Sequence, residues 1–351
     1  MRMVRHLRDV SERAWRVYGD ALVIDMHNDM PTKVLDEGYD PDVRHPAGVG
    51  PGLGHTDLPR LIDSGLTAVF LASWVHASFT EQTPDGSYAR AAAGIEVIRQ
   101  FVARHPDQLL AGTVAGDVRR AKASGRIAVF IGVEGGHAIE ASLDRLRALH
   151  ALGARYLTLT WNNGNAWAGS SVGVGGTRTE GLTAFGREVI AEMNRLGMLV
   201  DVSHVSDATF ADVLEVSAAP VIASHSNAKA LHAHRRNLTD DQLRGIAASG
   251  GVVNVNFFSR FLDPTFREEA PTVIALSVLI DHIAHIAAVA GIAHVGLGSD
   301  FDGMSAVPEG LDDVSAIPRI ADALLGRGYS DDDVARVLGG NMLRVMEQVL
   351  R

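Results

Sequence analysis

The chain has no cysteine among its 351 residues. That excludes disulfides, thiolate metal sites and cysteine nucleophiles, and leaves the cellular compartment open. Positive charge is in deficit: 32 lysines and arginines stand against 42 aspartates and glutamates, a formal net charge of −10. Such a balance argues against a nucleic-acid footprint and suits a soluble acidic enzyme. No uninterrupted apolar stretch approaches the roughly 20 residues of a membrane span. The opening MRMVRHLRDVSERAWRVYGD carries charges throughout and has no apolar core of a secretory signal. The closing NMLRVMEQVLR reads as an amphipathic helix and not as an anchor signal. No repeat period, low-complexity tract or dividing linker is present. These absences predict a cytoplasmic globular protein with neither nucleic acid nor membrane as partner.

What is present is a large apolar fraction, 46%, with 21% charged residues, ample for one large core. Short apolar runs alternate with longer helical patterns. Strands are expected at 22–27, 67–74, 127–134, 155–161, 198–204, 220–225, 251–257 and 294–300, and helices at 140–152, 182–196, 239–249 and 272–290. Continuous apolar strands separated by helices mean a parallel sheet covered on its faces. Eight of them predict an α/β fold of the (β/α)8 barrel type, a single domain with residues 1–20 as a helical extension and 21–351 as the barrel. A ninth run, QLLAGTV at 108–114, is read as an excursion outside the barrel, and the Gly-rich stretches 48–54 and 169–176 as long loops.

The strand ends carry the chemistry. LVIDMHNDMP ends an apolar run in Asp25, His27 and Asp29. Other runs end in Glu134, His204, His225 and Asp300. In a barrel the C-terminal strand ends meet on one face, where active sites sit, so residues spread over some 270 positions would converge. His27 and Asp29 are two apart, which on a strand points them the same way. A lone histidine at a strand end is usually a hydrogen-bonded core or surface group. Five strands each ending in a ligand-type side chain are not accounted for that way. Three histidines and three carboxylates without cysteine suit zinc or a similar divalent ion. They could hold two ions with one carboxylate bridging, and ions about 3.5–4 Å apart would activate a shared hydroxide and polarise a carbonyl. Metal-assisted hydrolysis is the expected chemistry, with Asp25 as a buried supporting or capping group.

DMHNDMP, GVEGGHAIE, DVSH, SHSNAKALHAHRRN and GLGSDFDG, with HTDLPRL and GGNMLRV, resemble the membrane (renal) dipeptidase family, the dinuclear-zinc branch of the amidohydrolase superfamily. The resemblance runs from about residue 20 to the end. It implies two zinc ions, the first bound by His27 and Asp29, the second by His204 and His225, with Glu134 bridging. It implies that Asp300 takes a proton from the bridging hydroxide and delivers one to the leaving amine. Arg236 matches the family's substrate-binding arginine. The implied substrate is a small peptide, D-amino acids at its C-terminal end included, and family members often form homodimers. The missing signal, cysteines and lipid-anchor tail set the sequence apart from the membrane-bound animal members and make it similar to the soluble bacterial type.

One departure stands out. Where the family's well-studied peptidases follow YLTLT with a substrate-contacting histidine, this sequence has Trp161. Tryptophan donates one N–H and takes no charge. Either Arg236 and the ions polarise the carbonyl alone, or Asn162, Asn163 or Asn165 replaces the donor, or the substrate is another amide such as an N-acyl amino acid. His76 is a further candidate substrate contact at the end of the second strand, and His137 is expected to orient Glu134. His282 and His285 are read as a satisfied helix surface, His232, His234 and Arg235 as loop residues, and Asp302 as structural. GSSVG at 169–173 fits a serine-hydrolase pattern around Ser171, but it lies in a Gly-rich loop where that motif requires a strand before and a helix after. That loop is a candidate lid. GVGPGLG lacks the strand and helix of a dinucleotide site, and no HExxH or P-loop motif occurs. A protein that binds metal without turnover is the remaining alternative, and the proton-shuttling Asp300 argues against it.

Overall fold

The computed structural model describes residues 7–82, 85–173, 180–270 and 272–350; part of the expected 169–176 loop lies outside them. The strands are β1 Ile24–Asn28, β2 Ala68–Trp74, β3 Leu109–Ala111, β4 Ile127–Glu134, β5 Ala154–Thr158, β6 Leu199–Asp201, β7 Val221–Ala223, β8 Val252–Val255 and β9 Val295–Leu297. All pairings among them are parallel. Around the barrel the order is β1, β2, β4, β5, β6, β7, β8, β9, closed by β9 on β1. β3 pairs only with Ile127–Val129 at the start of β4, while β2 takes the opposite edge of β4 along its whole length. The 108–114 run is therefore an excursion outside the barrel. The fold is a (β/α)8 barrel.

The strands are buried on both faces, which explains their unbroken apolar character: every residue of β4 and of β1 is buried. Alternation still sorts them. One apolar cluster joins Ile24, Met26, Ala68, Phe70, Ala128, Phe130, Tyr156, Leu199, Ile222 and Val252, the residues that face the barrel axis. Met342, Leu343, Val345, Met346 and Val349 of the helix Asn341–Val349 join this cluster and close the N-terminal end of the barrel. The intervening residues, such as Val69, Val129, Val200 and Val253, pack outward against the helices. The helices begin where the sequence offers a cap: Ser142, Thr183, Ser206 and Thr239 each accept from a backbone N–H in the first turn, and Thr239 with Gln242 forms a full capping box. Among the described residues no helix is long and apolar enough to cross a membrane.

Towards the C-terminal end the axis-facing positions turn polar. On β4 the inward phase runs Ala128, Phe130, Gly132, Glu134. Gly132 is bare because the Tyr156 ring occupies the space where its Cβ would stand. On β1 the register shifts between Asp25 and Asn28. Such a bulge re-aims the side chains that follow. The expected strand alternation of His27 and Asp29 is corrected here: Asp29 is past the strand, at the N-cap of helix Met30–Glu37, with φ −99° and ψ 15°. Gly132→Ala is predicted to cost about 1–3 kcal/mol by forcing the Tyr156 ring aside. Thermal denaturation should show a midpoint lowered by several degrees, and an unchanged midpoint would show that the ring is not held there.

Candidate metal centre and active site

His27, Asp29, Glu134, His204, His225 and Asp300 converge at the C-terminal mouth of the barrel, all buried. Their donor atoms form three overlapping groups, each within 4.8 Å: His27, Asp29 and Glu134; Glu134, His204 and His225; and His27, His225 and Asp300. The two oxygens of Glu134 divide between the first two groups. Oε2 lies 3.6 Å from His27 Nε2, whereas Oε1 lies 2.9 Å from His204 Nε2 and 3.5 Å from His225 Nε2. His27 Nε2 is 3.3 Å from Asp29 Oδ2 and 4.0 Å from Asp300 Oδ1. His204 and His225 bring their Nε2 atoms within 3.0 Å.

Two of these residues sit in strained backbone. His204 has φ 71° and Asp300 φ 66°, a left-handed conformation that costs a side chain and concentrates at functional sites. Gly303 adds a close approach: a Cβ there would overlap Asp29 Oδ2.

The donor set fits divalent metal. His27 Nε2 and Asp29 Oδ1 are buried without a hydrogen-bond partner, which a native interior rarely tolerates. Protons alone balance the cluster poorly. Burial pushes Asp300 up to about 8, with the Asp29 and Glu134 carboxylates adding to it. Burial opposes charge on His27, but Asp29 and Glu134 outweigh it and raise the imidazole well above its usual range. Burial likewise raises Glu134, and the neighbouring His27 and His204 outweigh it and hold Glu134 well below the carboxylate range. Burial lowers His204 to about 4 and holds His225 well below the usual imidazole range. Neutral imidazoles and ionised carboxylates are the forms that ligate a divalent ion.

A ring of hydrogen bonds presents the Nε2 atoms to the centre. Ser224 Oγ gives its one proton to Asp201 Oδ2 at 2.5 Å, so it accepts from His225 Nδ1 at 2.8 Å. Asn162 Oδ1 accepts from His204 Nδ1 at 3.1 Å. Tyr156 Oη is 2.7 Å from His27 Nδ1, and Asn256 Nδ2 donates to Asp300 Oδ2 at 2.8 Å. Asp201 also accepts from Thr158 Oγ1 and from the N–H groups of Ser203 and Ser224. Asp25 accepts from Ser299 N and Oγ, bracing β1 against the segment that carries Asp300. Tyr156, Asp201, Ser224 and Asn256 escaped the sequence reading. Their signal was a polar group at the axis-facing phase of an otherwise apolar strand.

The ligand cluster floors a cavity of about 460 Å³ walled by Trp74, Trp161, Phe258, Phe261 and Met304. Trp161 lines it, with its ring centroid 5.0 Å from that of Trp74. His76 is exposed behind that pair, 5.2 Å from Trp161, and does not line the cavity. Arg236 is buried behind Phe261, 5.5 Å from its ring centre, and donates to the His225 carbonyl at 3.2 Å. Burial lowers it to about 10, against the pull of Glu134, Asp300 and Asp201, so it stays charged at neutral pH.

Three expectations need correction. His137 does not orient Glu134: its Nε2 bonds the Val75 carbonyl at 3.0 Å and its Nδ1 meets Asn163 at 3.4 Å. His282 is not on a helix surface; it is fully buried, accepting from Ala228 N at 3.1 Å and donating to Leu262 O at 3.0 Å, while His285 pairs with Asp240. Asn165 is spent on its own loop, its Nδ2 donating to Leu159 O at 2.8 Å and its Oδ1 accepting from Trp167 N and Ala168 N, so it does not replace the missing donor. Asp302 accepts from His55 N at 2.7 Å and ties two loops together at the cavity edge. Ser171 follows no strand and precedes no helix among the described residues, so the nucleophile motif finds no context.

A closed parallel barrel whose strand ends gather histidines around a shared carboxylate defines a metal-dependent hydrolase. The family model for membrane dipeptidases, peptidase family M19, matches residues 11–351, and the chain belongs to that family. It is similar to a solved M19 metallopeptidase, the dipeptidase AC, at 30% identity and TM-score 0.82 over 94% of this chain and 99% of the other. A metallopeptidase from Rhodobacter sphaeroides, solved with a phosphinate mimic of the dipeptide L-Ala-D-Ala, matches at 30% identity and TM-score 0.81 over 94% and 100%. The probable dipeptidase PvdM from Pseudomonas aeruginosa matches at 25% identity and TM-score 0.85 over 96% and 97%.

Ser224→Ala removes the acceptor that fixes the His225 Nδ1 proton. It is predicted to weaken metal binding about tenfold or more, measured by competition against a chelating dye. Unaltered affinity would mean that the Asp201–Ser224 link does not set the His225 tautomer.

Proposed function

We propose that the chain hydrolyses the peptide bond of dipeptides, C-terminal D-residues included, with two zinc or similar divalent ions held in the centre described above. The observation that carries this is the division of the Glu134 oxygens between His27 on one side and His204 with His225 on the other. His27 and Asp29 would hold the first ion, His204 and His225 the second, with Glu134 common to both. Bound there, the ions would supply an activated water and Lewis-acid polarisation of the scissile carbonyl.

The protein's own groups do the rest. Asn256 engages Asp300 Oδ2, which leaves Oδ1 turned towards the His27 side of the centre. Asp300 accepts the proton of the attacking water and returns it to the leaving amine nitrogen, a role that suits a carboxyl raised towards neutrality. Arg236 holds a buried positive charge near His225 and offsets negative charge developing on the carbonyl oxygen. The aromatic walls lower the local polarity and strengthen both effects.

A dipeptide panel mixing L,L and L,D members, run with metal-loaded protein and again after chelation, tests the proposal. Chelator-sensitive cleavage supports it. No cleavage by a protein shown to hold metal would reject it in favour of another amide, N-acyl amino acids first. Asp300→Asn should retain metal but lose about 10²–10⁴-fold in kcat; wild-type turnover in that variant would remove Asp300 from the mechanism.

A further inference from the structure

The cavity walls differ from side to side, and the barrel's strand order says which side meets which half of a dipeptide. In the ring of eight strands β4, which ends in Glu134, lies diametrically across from β8. Trp74 is the last residue of β2, in register with Glu134, and Trp161 follows β5 by three residues. Since β2 and β5 flank β4, the two indoles meet above its end, edge to face at an interplanar angle of 73°. Phe258 and Phe261 follow β8 on the opposite wall, with their ring centroids 4.8 Å apart. Asp300 follows β9, next to β8, so the group that protonates the leaving amine belongs to the phenylalanine wall. With Asp300 in that role, the wall nearest to it places the leaving, carboxy-terminal residue of a substrate towards Phe258 and Phe261. The acyl half, with the amino-terminal side chain, is directed towards Trp74 and Trp161.

On the proposed dipeptidase reading, we propose that the Trp74–Trp161 pair is the specificity wall for the amino-terminal residue, selecting a bulky apolar or aromatic side chain there. Both indoles are only partly buried and line the cavity above Glu134, offering apolar ring surface to it. An aromatic side chain closing on them buries its own apolar surface together with theirs and adds an aromatic pair contact. A small side chain such as alanine leaves that surface wet.

The test is a kcat/KM comparison of Phe-Ala, Ala-Phe and Ala-Ala with the metal-loaded wild type, Trp161→Ala and Trp161→Phe. The wild type is expected to favour Phe-Ala over Ala-Ala by about tenfold or more, the scale of an apolar pocket contact. Trp161→Ala should collapse that ratio, Trp161→Phe should restore most of it, and the Ala-Phe to Ala-Ala ratio should stay put in both. A wild-type Phe-Ala to Ala-Ala ratio near one overturns the inference and leaves the dipeptidase reading intact. So does a Trp161→Ala change that moves the Ala-Phe ratio instead. Failure of the wild type to cleave any of the three, with metal bound, overturns the dipeptidase reading itself and the inference with it.

Discussion

Repulsion among three buried carboxylates is the constraint on which this structure turns. Asp29, Glu134 and Asp300 are held together, largely buried, on the floor of the cavity at the mouth of the barrel. Two like charges 4 Å apart repel by about 4 kcal/mol even at an effective dielectric constant of 20. Arg236 sits behind Phe261 and offsets only part of that charge. Without cations the cluster must borrow protons, which is why His27 is driven towards its charged form and Asp300 towards its neutral one. On the proposed function, two divalent ions would remove the conflict at its source.

The scaffold is arranged to hold this unfavourable cluster in place before metal arrives. Each histidine of the cluster is fixed through its Nδ1: His27 by Tyr156, His204 by Asn162 and His225 by Ser224. The partner of Ser224, Asp201, is itself saturated by hydrogen bonds from β5 and the β6 and β7 strand ends. Left-handed backbone at His204 and Asp300 turns the chain sharply just where a strand must stop and present a side chain. Strain and desolvation are both offset by the closely packed apolar barrel beneath.

Much of this was legible in the sequence for a physical reason. Parallel strands covered on both faces must be apolar throughout, so the eight barrel strands and the outlying 108–114 run declared themselves as unbroken runs. The residues that converge at the mouth were legible because they end those runs abruptly. What stayed hidden depends on phase and three-dimensional partnership. The β1 bulge and the helix-cap position of Asp29 change how His27 and Asp29 meet, and no two-residue spacing reveals that. The burial of His282 and the bond of His137 to the Val75 carbonyl depend on which element packs beside them. Trp161 was visible as a departure from its family, but its pairing with Trp74 needed the barrel to bring β2 and β5 to either side of β4.

The proposal that the centre takes two cations is most directly tested by titrating metal-free protein with zinc in a calorimeter. The proposal predicts two equivalents bound per chain, with proton release as the cluster surrenders the protons that stood in for metal. One equivalent, or none, would contradict the account of Glu134 as the ligand common to two ions.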